Sequence, residues 1–250
     1  MAGDVRRTDR LGVLLDQFDK ARELAEVRLA MLGDEEYLWE PVHDCWSIRR
    51  REDATTARAY GPGEWVIDVG AAGIPNSEYA QVSREIAGGQ SLTQVAGNWG
   101  VSVERVEEVL AHTGPLEPDT SPMTTIAWRL GHLHGNFAGT WEWTFGERRE
   151  PRVLVDFTPS AALAVEHFWT ELTRWRDSIA DLTDEQLDTV GLSQYPYASD
   201  PEEPFIAVIW ANNLELIHHL AEIALLRDLW RARPFETGLR PSSGTRASGP

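Results

Sequence analysis

The stretch NNLELIHHLAEIALLRDLW, residues 212–230, places two carboxylates and two imidazoles in the middle of a run that otherwise reads as uninterrupted helix. Glu215 and His219 are four residues apart, so both side chains can aim at one ion from a single helix face. His218 and Glu222 form a second pair at the same spacing. A complement lies in WRLGHLHGN, which offers His132 and His134, with Arg129, His132 and Asn136 on one face. Three ligands, His132, Glu215 and His219, would leave coordination positions open for water or substrate, as catalytic rather than structural sites do. Imidazole and carboxylate without thiolate suit Zn²⁺, Ni²⁺ or Fe²⁺. His218 and Glu222 are alternates, or outer groups that orient the ligands. The plainer reading is a set of ordinary hydrogen-bonded histidines, with Glu215 paired to Arg129. Against it stands the cost of burying ionisable groups that lack a partner charge.

Four long helices must position these side chains. The first spans residues 10–32, with Leu11, Leu14, Leu15, Phe18, Leu24 and Val27 at helical spacing and Gly33 as a stop. The second runs from Thr124 to about Phe145. The third opens with Thr158 as N-cap and Pro159 as first helical residue, and buries Ala164, Phe168, Leu172, Trp175, Ile179 and Leu182. The last covers 205–232. There Val208, Asn212, Glu215, His219, Glu222 and Leu226 share one face, while Leu214, Ile217, Ala221, Ala224, Leu225 and Leu229 are expected to supply the apolar side.

The fold class is therefore all-α, a four-helix bundle with a long helical insertion between the first two bundle helices. Residues 1–74 and 119–235 are assigned to the bundle, 75–118 to the insertion, and the Ser/Gly/Pro-rich 236–250 to a disordered tail. Residues 34–51 read as loop with short turns, and Glu64–Val69 as a short strand. Within the insertion, LTQVAGNWGVSVERVEEVL has helix-turn-helix spacing, with Ala96 at the crossing, Gly100 in the turn, and Val95, Trp99, Val101, Val106 and Val109 buried. Its would-be recognition helix carries Glu104, Glu107 and Glu108 against Arg105 alone, the wrong sign for phosphate. A structural hairpin is favoured over a DNA reader.

A formal net charge of -17 argues against a surface built for nucleic acid or anionic lipid. No run approaches the ~18 apolar residues of a membrane span, and MAGDVRRTDRLG lacks the apolar core of a signal peptide. Cys45 is the only cysteine, so there is no intrachain disulfide or thiolate cluster, and a reducing, cytoplasmic setting is expected. Lys20 is the only lysine, the coding bias of a GC-rich, actinobacterial-type genome.

Taken together, EEYLWEPVHDCWSIRRR, TTIAWRLGHLHGNF and NNLELIHHLAEIALLRDLWRA resemble the DinB-like superfamily, in particular its mycothiol-dependent branch containing maleylpyruvate isomerase. The resemblance covers about residues 10–70 and 120–232. It implies a four-helix bundle with a divalent metal near its middle, held by one His of the second bundle helix and a Glu-x-x-x-His of the last. Those positions correspond to His132, Glu215 and His219. It further implies a small thiol cofactor, mycothiol, bound as thiolate, and a small electrophilic substrate. Trp46 and Trp128 would wall the cofactor pocket, and Arg129 and Arg227 would bind a substrate carboxylate. The rival readings are a DNA-binding sensor that uses the insertion, and a bundle that binds metal without catalysis. A homodimer is compatible with each.

Overall fold

The protein is described here from a computed structural model covering residues 9–42, 45–54, 59–68, 76–99, 101–111, 123–150, 153–195 and 202–233. The expected turn at Gly100 and the tail at 236–250 lie outside these residues.

Helix α1 (Arg10–Leu29) starts where the Asp9 side chain accepts from the Gly12 amide, and the short α2 (Asp34–Tyr37) follows it. Two strands, β1 (Ser47–Arg50) and β2 (Trp65–Asp68), pair antiparallel with Ser47 opposite Asp68. The segment expected as loop therefore contains a helical turn and a strand. Helices α3 (Asn76–Ala87), α4 (Leu92–Trp99) and α5 (Val103–Ala111) make up the insertion. Then come α6 (Ile126–Thr144), α7 (Ala161–Ile179), the one-turn α8 (Asp184–Leu187) and α9 (Phe205–Ala232). Helix α7 is capped by Ser160, two residues beyond the expected Thr158, because the Ser160 hydroxyl accepts from the Leu163 amide. No described helix is long and apolar enough to cross a membrane.

Side-chain pairings fix the helix directions. Asn213 reaches the Leu14 carbonyl and Asp228 meets Arg28, so α1 and α9 run parallel. His134 lies by His167 and Trp141 donates to Ser178, so α6 and α7 are parallel too. Arg176 grips Asp19 and Arg22 lies over the Trp169 ring, so α7 runs antiparallel to α1. The chain from 145 to 160 must then travel the length of the bundle. It does so along a glycine face of α6: a Cβ on Gly131 would come within 3.0 Å of the Phe157 ring. One turn series further, a Cβ on Gly139 would stand 2.5 Å from Tyr195, so the loop before α9 uses the same face.

The core runs through Phe18, Phe137, Phe168, Leu172, Trp175 and Phe205, which bury fully and meet largely edge to face. The stripe expected on α7 is buried from Ala164 to Ile179, while Leu182 lies past the end of the helix and is half-buried; Leu11, Leu15 and Phe18 of α1 are buried too. Leu24 and Val27 are not. The buried face of α1 continues instead through Ala21, Ala25 and Leu29, small residues that let α9 approach. On α9 the expected apolar side is also turned outward: Leu214, Ile217, Leu225 and Leu229 are exposed, and Leu216, Leu220, Ile223 and Leu226 face the core. The insertion has a core of its own, Val82, Val95, Ala96, Val106 and Val109, with Trp99 and Val101 packed against it. Helices α4 and α5 pack on each other as the hairpin, and α3 closes over both to make a three-helix unit.

The last turn of α6 carries an acid whose environment gives a pH test. Glu142 is 2% exposed and receives two bonds from the Arg149 guanidinium, at 2.9 and 2.8 Å, plus the Glu147 and Arg149 amides. Arg149 and those amides hold its carboxyl down at about 2, against an ordinary 4.5. A carboxyl depressed by folding contributes stability above its unfolded value and loses it as pH falls towards its folded value. Glu142→Gln is therefore expected to melt about 5 °C below the wild type at pH 7. That gap should close between pH 4.5 and 2. A gap that persists unchanged at pH 2 would show that lost packing, not lost charge, is responsible.

Candidate metal centre

Helix α6 is set in place at its first turn. The Thr125 hydroxyl accepts from the Trp128 amide at 3.1 Å and lies 3.1 Å from the Ser47 hydroxyl, which ties the helix start to β1. Two turns on, His132 faces α9. Helix α9 has no glycine or proline between Phe205 and Ala232 and brings Glu215 and His219 opposite. The Nε2 atoms of His132 and His219 lie 3.3 and 3.0 Å from the same Glu215 oxygen, Oε2. Each of the three residues offers a donor atom within 4.8 Å of the others, so the donor set fits one divalent ion.

The surroundings fix the ligand atoms. The other nitrogen of His219, Nδ1, sits 2.6 Å from Glu222 Oε2, which leaves Nε2 free to face Glu215. Arg129, almost fully buried, holds Glu222 through its Nε and Nη2 at 2.9 and 3.0 Å. The plainer pairing of Arg129 with Glu215 is thus not the one formed. His132 stacks flat on Trp128, with centroids 4.9 Å apart and planes 10° from parallel, and Trp128 packs on Trp46 at 5.2 Å. Both indole N–H groups are buried without a hydrogen-bond partner among the described residues.

Electrostatics follow the contacts. The imidazoles of His132 and His219 hold the Glu215 carboxyl far below the ordinary range. Burial pushes the His132 imidazole down, and the Glu215 contact only partly offsets this. In His219 burial also acts downward, but bonds to Glu215 and Glu222 outweigh it and the net direction is up. Burial raises Glu222, and His219 with Arg129 more than reverses that. Glu215 is thus held in its coordinating form by the imidazoles and His132 by burial, whereas the carboxylates beside His219 favour its protonated form, so metal binding there displaces a proton.

A second group, His218, His219 and Glu222, also converges. It is a poor cation site, because the Arg129 guanidinium lies 3.2 Å from His219 Nδ1 and is bonded to Glu222. His218 is 60% exposed and touches Glu222 at 3.4 Å. His134 turns away from the centre to meet His167. Arg227, expected at the substrate, is two turns along α9 and 2% exposed. Its Nε and Nη2 bind Glu36 at 2.8 and 2.9 Å, and its Nη1 the carbonyls of Arg28 and Ala30. All three guanidinium nitrogens are taken within the protein. Cys45 precedes Trp46 and so lies one residue from the aromatic stack; its thiol is buried and pushed up to about 11 by burial and by Glu40.

The sequence placed Asn136 and Asn212 on the facing sides of their helices but did not pair them. Asn136, one turn past His132, donates to Asn212 at 3.0 Å, and Thr140 follows one turn further, all buried. The signal was present as polar residues at 132, 136 and 140 on an otherwise apolar helix.

The family model of the DinB superfamily matches residues 17–223, well over half the chain. The chain belongs to the DinB superfamily. No curated protein and no solved structure matches it. Membership agrees with a helical bundle carrying a metal centre, and the centre built from α6 and α9 has the donors for one.

Proposed function

We propose that this DinB-superfamily bundle is a metal-dependent enzyme that activates a low-molecular-weight thiol of the mycothiol type against a small electrophile, as transferase or isomerase. The observation that carries the reading is the convergence of His132, Glu215 and His219 on one point, with His219 oriented by Glu222. Three donors from two helices leave open positions on the outward side, where Glu215 and His132 are partly exposed. The donor set favours Zn²⁺, with Ni²⁺ or Fe²⁺ compatible. A divalent ion bound there would favour thiolate over thiol.

The chain's own residues do the rest. Glu222 holds His219 in the tautomer that presents Nε2, and Arg129 keeps Glu222 ionised, so Arg129 is a positioning residue here. Trp128 fixes the His132 ring by stacking, and Trp46 packs behind Trp128 to back that wall of the site. Arg227 is assigned to closing the bundle. The thiolate sulfur then bonds to an electrophilic carbon of the substrate. The electron pair leaves with a displaced group in transfer, or returns to expel the sulfur after bond rotation in isomerisation. The alternative of a DNA-binding sensor gains nothing from α5, whose outward Glu104, Glu107 and Glu108 would repel phosphate.

The test is thiol dependence. Turnover of a small electrophile such as maleylpyruvate or an activated aryl halide should require mycothiol or a thiol analogue. Cys45→Ser should keep more than about half the activity, since a buried thiol with a raised pKa is a poor nucleophile. Thiol binding should release a proton, seen as a buffer-dependent heat in calorimetry. A fully metallated Cys45→Ser protein without activity, or turnover undiminished without thiol, would overturn the reading in favour of a covalent cysteine enzyme or a different metal chemistry.

A further inference from the structure

The last bundle helix is apolar on two sides. Besides its core face, α9 exposes Trp210, Leu214, Ile217, Leu225 and Leu229, with Ala221 between them, at successive spacings of three and four. These residues form one stripe on the side away from the core. Helix α1 runs parallel beside it and exposes Val13, Leu24 and Val27, and Met31 just past its end. The two stripes share a face, because Val13 and Trp210 line the same groove, and Arg28 bridges to Asp228 at 3.0 Å at its far end. Nine of the 14 exposed large hydrophobics among the described residues fall on this face, so their distribution is not scatter.

We infer that the α1/α9 face is the contact through which two copies of this chain form a dimer. The nine side chains are 39–97% exposed. They are the apolar centre of a face of the size that a standard interface, with about 20–30 residues a side, requires. A standard interface takes ~800 Å² per partner, whereas the largest patch on a monomer is ~300–600 Å². The face is also nearly free of unpaired charge on a chain of net -17. Positions 210, 214, 217, 221 and 225 are uncharged, Asp228 is paired with Arg28, and Lys20 is paired with Glu23 at 2.7 Å. A surface apolar along α9, with the charges beside it paired, suits an isologous twofold contact between helix pairs. Anionic lipid would be repelled by the net charge. Residues 234–250 bring only Phe235 and Leu239 as large apolar side chains, too few to cover nine.

The test is the solution mass of the full chain, 28.1 kDa per copy. Sedimentation equilibrium at about 50 μM should give a dimer, tighter at higher salt as the like charges are screened. Leu24→Glu with Val27→Glu on α1, or Trp210→Arg on α9, should raise the dissociation constant by more than about 100-fold, since buried charge is costly at an interface core. These side chains lie outside the core, so melting of the monomer and metal content should stay as in wild type. A wild-type monomer at 50 μM overturns the inference. So does a dimer that all these variants retain, a chain that dimerises only after removal of 234–250, or a monomer that sediments with neutral phosphatidylcholine vesicles.

Discussion

His219→Ala protein, purified beside the wild type without chelators, is expected to hold less than about a tenth of the divalent ion that the wild type carries, with wild type near one ion per chain. His219 is the hub of the centre: Nε2 faces Glu215, Nδ1 binds Glu222, and its ring meets that of His132 edge to face at 4.8 Å. Removing it takes away one donor and leaves Glu222 without the imidazole it orients. His132→Ala should lose metal as severely, because no other imidazole on α6 faces Glu215. Glu222→Gln should weaken affinity by ~10–100-fold, the usual cost of losing the group that orients a ligating imidazole. His218→Ala should change affinity little. Metal analysis and the rise of melting temperature with added Zn²⁺ or Ni²⁺ measure all four variants. Wild-type protein that takes up no ion and gains no stability from either metal would refute the centre. Loss of metal from His218→Ala with retention in His219→Ala would show that the neighbouring imidazole is the ligand.

Arg227→Ala is expected to destabilise the fold by about 3–5 kcal/mol, the cost of leaving a buried carboxylate without its partner. Glu36, which it would abandon, is buried in α2 beneath the end of α1. Arg227→Lys should not restore stability, since an ammonium cannot reproduce the two parallel bonds to Glu36 and also reach the carbonyls of Arg28 and Ala30. Arg227→Met combined with Glu36→Gln should recover a large part of the loss, because no charge then remains buried. Chemical denaturation reads these effects directly. An Arg227→Ala chain with wild-type stability and no activity would return Arg227 to the substrate, where the resemblance to mycothiol-dependent enzymes had put it.

What the sequence made legible was set by spacing, and what it hid was set by depth. His132, Glu215 and His219 could be picked out because four-residue spacing fixes a helix face before any packing is known. The stripe of α7 was equally readable, since it is apolar on one side only. Helix α9 defeated the same reasoning: it is apolar on opposite sides, so Leu214 and Leu225 looked as core-like as Leu216 and Ile223. On α1 the error was one of size. Leu24 and Val27 outweigh Ala21 and Ala25 in hydrophobicity, yet the close approach of α9 favours the smaller pair. Arg129 and Arg227 could not be told apart by position, because their roles depend on Glu222 and Glu36, acids distant in sequence. Strand β1 gave no sign at all, being four residues with two arginines.

That short strand has a consequence for how the chain tolerates change. Asp68, where the main excursion departs, pairs with Ser47, and Thr124, where it returns, bridges to Trp46. Two adjacent residues thus hold both exits of a segment that includes α3, α4 and α5 and closes on its own core. Lengthening, shortening or replacing that segment shifts neither exit, so the start of α6 and the register of His132 are insulated from it. The protein is built like a frame with a socket between Asp68 and Thr124, both of whose edges are fixed by Trp46 and Ser47.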